Sequence, residues 1–343
     1  VSHRTGRTRG LLLCSAVAAA MVTAPPAASA ATPDGGGGRC ERADVSGDIT
    51  VDVASGGTTY PVAVYVPEGL AASRAPLVLN LHGSSSNGPA QQDISGLRAV
   101  ADEEGFVVAA PSGALPLAPQ TPPDPNGSWA WNVPGVPTTA GAFPPAGARD
   151  DVAFLRDVVD TVSAQLCTDR TRTYATGYSG GGRMASTLAC RAADVVAAIA
   201  PVAGLRAGRP DPDDTSVPEV EDCSPSRPVP VITFHGQQDP VNPYQGNADL
   251  RWGYTTPVAV QTWARLDGCR RGPEATQVSE HVTELSYTTC AGGAEVTLYR
   301  VSDGGHTWPG SDVPAQGPVT QEIDASQLLW DFFEQHRLRG ARG

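Results

Sequence analysis

Apolar positions along this 343-residue chain keep two rhythms. Some runs are short and apolar throughout, as in strands buried on both faces. Others repeat every three or four residues, as one face of a helix does. Residues 49–53 and 60–66, joined by Ser55-Gly56-Gly57, predict a hairpin. Residues 76–81 predict a buried parallel strand, 96–104 a helix and 106–110 a second buried strand. Over 150–166 the positions Val152, Leu155, Val158, Val159 and Val162 keep helical spacing, with Asp150 or Asp151 as cap. A strand at 172–176 and a helix at 183–191 follow, then buried strands at 195–202 and 228–234 and a helix at 257–266. Strands at 282–287 and 295–301 precede a last amphipathic helix at 325–336, with Leu328, Leu329, Phe332 and Phe333 facing inward. Such alternation builds a mostly parallel sheet covered on both faces, so the expected fold class is α/β. Two Pro-rich stretches, 115–148 and 205–227, interrupt it; structureless connections of that length are usually functional or disordered.

The first thirty residues follow neither rhythm. Arg4, Arg7 and Arg9 precede an apolar run at 11–24 that is too short to span a bilayer, and Ala28-Ser29-Ala30 reads as a cleavage site. Residues 1–30 are therefore expected to be a signal peptide, 31–39 a flexible leader, and 40–339 a single catalytic domain of a secreted protein. The formal charge is −12; removing those three arginines and no acid takes it to −15. Phosphate binding needs a basic face, so nucleic acid and anionic membrane are excluded as expected partners. Six cysteines remain after the leader, Cys40, Cys167, Cys190, Cys223, Cys269 and Cys290, an even number that suggests three disulfides with the pairing open. No Cys-x-x-Cys, no G-x-G-x-x-G and no Walker lysine occurs, so neither metal nor organic cofactor is expected.

The chemistry gathers around Gly177-Tyr178-Ser179-Gly180-Gly181. A predicted strand precedes it and a predicted helix follows, the context of a G-x-S-x-G nucleophile elbow and hence of an α/β-hydrolase fold. A serine hydroxyl needs a base, and the base an orienting acid, in the chain order Ser, Asp/Glu, His. Asp239 stands just past the strand at 228–234, and His306 lies in the glycine-softened loop 303–310 after the strand at 295–301. Among the other histidines, His82 and His235 read as structural, His281 opens a strand and His336 reads as solvated. The expected oxyanion donors are the N–H of Gly180 and, after the strand at 76–81, that of Ser84, with Gly83 as the near alternative. Trp129 and Trp131, two apart in the first Pro-rich stretch, and Trp308, two past the histidine, are expected to wall the substrate pocket, the alternative being that these rings anchor a long loop.

Several segments together resemble one family: Leu81-His82-Gly83, the run from Asp150 to Leu155, the elbow continued through Gly182-Arg183-Met184-Ala185, Phe234-His235-Gly236 with Asp239, and the run from Gly304 to Gly310. They resemble the secreted esterases that include polyhydroxybutyrate depolymerases and feruloyl or acetylxylan esterases, over roughly residues 40–336. The resemblance implies a serine esterase working through an acyl-enzyme, with Ser179, Asp239 and His306 as its triad and a plant cell-wall ester as substrate. It also implies pairing of Cys190 with Cys223 and of Cys269 with Cys290, which leaves Cys40 with Cys167. A polyester depolymerase acting on hydroxyalkanoate oligomers is the alternative within the same mechanism. A non-catalytic binding protein on a hydrolase scaffold is the alternative of a different class, and three triad candidates in the correct order argue against it.

Overall fold

A computed structural model of the chain describes residues 45–70, 74–119, 123–219 and 221–338. The expected signal peptide and leader, and Cys40, lie outside the described residues. Alternating residues form the hairpin of β1 (Gly47–Ser55) and β2 (Thr58–Val66), turned by Gly56 and Gly57 at positive φ. Next come β3 (Leu77–Leu81), helices α1 (Gly88–Ser95) and α2 (Leu97–Glu104), and β4 (Val107–Ala110). The first Pro-rich stretch contributes two short paired strands, β5 (Leu115–Pro116) and β6 (Trp129–Ala130). Helix α3 (Asp151–Leu166), β7 (Thr173–Tyr178), α4 (Gly180–Arg191), β8 (Ala198–Val202), β9 (Val231–Gly236) and α5 (Thr256–Leu266) follow. The chain closes with β10 (Arg271–Gln277), β11 (Val282–Thr288), β12 (Val296–Val301) and α6 (Ala325–Phe333).

Among the described residues, ten strands form one sheet in the order β1-β2-β4-β3-β7-β8-β9-β12-β11-β10. The six from β4 to β12 run parallel, and the antiparallel pairs β1/β2 and β11/β10 flank them. Successive side chains on a strand point to opposite faces. Leu77, Leu79 and Leu81 accordingly pack with Phe154, Leu188 and Trp263 of α3, α4 and α5, whereas Val78 packs with Leu97, Trp330 and Phe333 of α2 and α6. On that second face Tyr174 stacks on Phe333 with ring centres 4.6 Å apart, and Phe106 on Trp330 at 4.2 Å.

Three departures from the sequence expectations have local causes. Asn87, in line with Gly88 and Pro89, caps α1 by accepting the Ala90 N–H at 3.0 Å, a helix start the apolar pattern did not mark. Every residue of β10 is exposed, so this edge strand carries no alternation to read. His336 is buried rather than solvated, because the chain turns back after α6 and packs its ring on Phe332. The cap of α3 resolves to Asp150, which accepts the N–H groups of Val152 and Ala153.

Candidate active site

Ser179 stands between the end of β7 and the start of α4 with φ 56° and ψ −114°. A non-glycine residue with positive φ is strained and must be held by its surroundings. Here its N–H donates to Val202 O at 2.8 Å, and its carbonyl accepts the Arg183 N–H at 3.0 Å. Gly177 and Gly181, two positions on either side of it, must be glycine. A Cβ on Gly177 would sit 2.6 Å from the Gly181 carbonyl carbon, and a Cβ on Gly181 would sit 2.0 Å from Leu81 O.

The loop after β3 lies against this turn. A Cβ on Gly180 would stand 2.7 Å from Ser84 Oγ and 3.3 Å from Ser84 N, and one on Gly83 would stand 3.5 Å from Ser179 Cβ. Ser84 and Gly180, the two expected oxyanion donors, are therefore brought side by side next to Ser179. The loop is pinned from below. His82 Nδ1–H donates to Gly83 O at 2.7 Å and its Nε2 accepts the Gly113 N–H at 2.8 Å, an assignment that makes the ring neutral. Burial pushes the His82 pKa down to about 4, consistent with that form. Ser85 N–H donates to Trp129 O, and Trp129 N–H to Ser86 O.

Asp239 follows β9 and is buried. Its Oδ1 accepts the N–H groups of Val241 and Asn242, both at 2.8 Å, and its Oδ2 accepts His306 Nδ1–H at 2.7 Å. Burial alone would raise this carboxyl; hydrogen bonds from His235 and His306 outweigh it and hold Asp239 well below the usual carboxylate range. His306 sits in the loop after β12, fixed by its own N–H to Gln316 O and by the Tyr178 hydroxyl, which donates to His306 O at 2.6 Å. Tyr178 precedes Ser179, so the histidine loop lies against the elbow. His235 Nε2–H donates to Asn242 O at 2.9 Å and stands 3.4 Å from Asp239 Oδ2, supporting the acid from behind.

The tryptophans divide. Trp129 and Trp308 are only 1% and 2% exposed and stand outside the lining of the pocket beside Ser84 and Gly180. Their indole N–H groups are used internally, Trp129 on Asp124 O and Trp308 on Ser326 Oγ, so each ring anchors its loop. Trp131 donates to His82 O at 2.8 Å, and its ring borders a pocket that also touches Ser84, Gly180, Arg183, Arg251 and Trp252. The sequence reading missed Arg183 and Trp252. Arg183 was findable, since it stands four residues after Ser179 and so shares its helix face. Disulfides join Cys190 to Cys223 and Cys269 to Cys290; Cys167 is disulfide-bonded as well, while Cys40 lies outside the described residues. Among the described residues no cluster of His, Cys, Asp and Glu is arranged to hold a metal ion.

A parallel sheet with a serine elbow after its central strand β7, an aspartate after β9 and a histidine after β12 defines the α/β-hydrolase class. The solved acetyl xylan esterase from Aspergillus awamori shares this fold, with a TM-score of 0.52 and 15% identity over 76% of this chain and 94% of that one. The family described as Esterase PHB depolymerase matches residues 60–295, and the chain belongs to that family of ester hydrolases. It is 29% identical over 284 residues to feruloyl esterase B of Piromyces equi, covering 81% of this chain and 45% of that protein. It is 30% identical over 294 residues to a protein of Nocardia uniformis subsp. tsuyamanensis that carries the name esterase NocK, covering 79% and 76%. The chain thus spans less than half the length of the Piromyces relative.

Proposed function

We propose that the chain is an exported serine carboxylic-ester hydrolase of feruloyl or acetylxylan esterase type, with one catalytic domain over residues 40–339. The observation that carries this reading is the 2.7 Å bond from His306 Nδ1–H to the ionised Asp239, which leaves His306 Nε2 as the proton acceptor beside the elbow of Ser179. Ser179 Oγ attacks the ester carbonyl carbon while its proton passes to His306 Nε2. Negative charge on the carbonyl oxygen is met by the N–H groups of Gly180 and Ser84. The C–O bond to the alcohol then breaks, the alcohol leaves with the proton from His306, and the acyl group stays on Ser179. Water activated by His306 repeats the sequence and releases the acid. The disulfides support an oxidising compartment, hence export.

The name of the Piromyces relative supports a feruloyl ester as substrate. The family description supports hydroxybutyrate oligomers as the second candidate. Ser179→Ala and His306→Ala should each abolish hydrolysis of p-nitrophenyl acetate and methyl ferulate with the circular dichroism spectrum unchanged, because the two residues act as one unit. Asp239→Asn should lose about 10⁴ in kcat through the wrong imidazole tautomer. A folded Ser179→Ala variant that still turns over either ester would end this assignment. Wild type that cleaves hydroxybutyrate oligomers faster than methyl ferulate would transfer the substrate to the polyester class.

A further inference from the structure

Arg183 is 7% exposed. Its Nη2 is buried without a hydrogen-bond partner, and no carboxylate among the described residues forms an ion pair with it. The guanidinium instead lies over the Trp252 ring, 4.0 Å from its centre. Nearby cations do not share spare acids with it. Arg251 already holds Asp249, and Arg206 directs its Nη groups to Leu205 O and Asn242 Oδ1. Arg183, Arg206 and Arg251 thus stand close enough to repel one another in a chain whose formal net charge is −12. Burial, followed by the proximity of Arg206, pushes the Arg183 pKa well below the ordinary guanidinium value, with Tyr254 and Asp249 opposing. A buried cation in this state is costly unless something pairs with it.

The position of the side chain says what that partner is attached to. Arg183 lies one helical turn beyond Ser179, and side chains on a helix lean toward its N-terminus, here toward the elbow. It borders the same pocket as Ser84 and Gly180, whose N–H groups would hold the ester carbonyl, and His306 is not part of that lining. The leaving alcohol must reach His306 for its proton, so the alcohol occupies the histidine side and the acyl chain the Arg183 side.

We propose that, beyond the feruloyl and acetyl esters above, Arg183 lets the enzyme select among straight-chain acyl esters those whose chain ends in a carboxylate, which pairs with the buried guanidinium. This rests on the serine-esterase reading above. Trp131 and Trp252 flank the methylene chain, and the carboxylate accepts two N–H bonds from the guanidinium fork.

The test compares p-nitrophenyl monoesters of straight-chain dicarboxylic acids with p-nitrophenyl esters of monocarboxylic acids of equal length. Wild type should favour the carboxylated ester by about 10- to 100-fold in kcat/KM at its best chain length, since a site built around a polar group rejects the analogue that leaves it unpaired. Arg183→Met should collapse that ratio to near or below unity, and Arg183→Lys should keep part of it. A wild type that prefers the neutral ester at every length overturns the proposal whatever the variants do. So does an Arg183→Lys or Arg183→Met protein with the wild-type ratio. Should Arg183→Met fail to fold, the wild-type ratio and the lysine variant decide. Failure of wild type on every ester would instead remove the esterase reading itself.

Discussion

Ser179 keeps its strained backbone because hydrogen bonds hold it and the turn after it is made of glycines, and two adjacent glycines are needed for different reasons. A methyl on Gly181 would collide with the Leu81 carbonyl at 2.0 Å, a backbone atom at the end of β3 that cannot step aside. A methyl on Gly180 meets first the Ser84 hydroxyl at 2.7 Å, which can rotate away. Gly181→Ala should therefore cost about 3 kcal/mol or more in a denaturant titration, and Gly180→Ala about 1 kcal/mol. Equal losses would mean that β3 yields more readily than its place in the sheet suggests. At this scale much was legible in the sequence. The elbow, Asp239 and His306 could be placed because each sits at the end of a strand whose apolar run is readable on its own. The roles of Trp129 and Trp308 were not, since whether a ring is a wall or an anchor depends on where its N–H finds an acceptor. That acceptor came from outside the motif: Asp124 O in one case, Ser326 Oγ of α6 in the other.

The first Pro-rich stretch is held to the sheet by one charged clasp at the start of α3. Arg149 Nε donates to Asp151 Oδ1 at 2.6 Å, and Asp151 Oδ2 accepts the Asn132 N–H at 2.7 Å. Asn132 Nδ2 returns to Arg149 O, and Arg149 Nη2 reaches Ser112 O. Both charged side chains are buried, at 6% and 1% exposure, and the guanidinium lies over Phe154 and Tyr60. Breaking one member of such a pair leaves a buried charge uncompensated. Asp151→Asn should cost about 3–5 kcal/mol in urea unfolding, and faster proteolysis between residues 132 and 149 should accompany it. A loss below about 1 kcal/mol would show that the pair contributes no more than an exposed one. The element pattern was legible wherever burial followed a period. It failed at β10, which is exposed throughout and exists only because β11 offers it an edge, and at α1, whose signal was a cap and not a periodicity.

Across the whole molecule, two buried groups act on stability with opposite sign. Burial lowers His82 from 6.5 to about 4, so between those values the unfolded chain takes up a proton that the folded chain refuses. Stability carried by neutral His82 is complete above pH 6.5 and is lost as pH falls toward 4. Burial raises Asp267 from 3.8 to about 7, so there the folded chain keeps a proton that the unfolded chain releases. Its contribution is complete below pH 3.8 and is lost as pH rises through 7. The slopes offset each other in wild type. Asp267→Asn keeps an oxygen for the Val229 N–H, removes one slope, and should make Tm fall more steeply on acidification from 6.5 to 4 than it does in wild type. A variant whose Tm tracks wild type over that range would refute this assignment. The sequence by itself determined most of the strands and helices, the parallel sheet they imply and the order Ser179, Asp239, His306, because periodicity and turn residues act over a few neighbours. Only the tertiary structure decided the burial of Trp129 and Trp308, the seating of Asp267 and His336, and the buried guanidinium of Arg183. Desolvation and the presence or absence of a partner are set by residues far away in the chain, and these come together only when the sheet is complete.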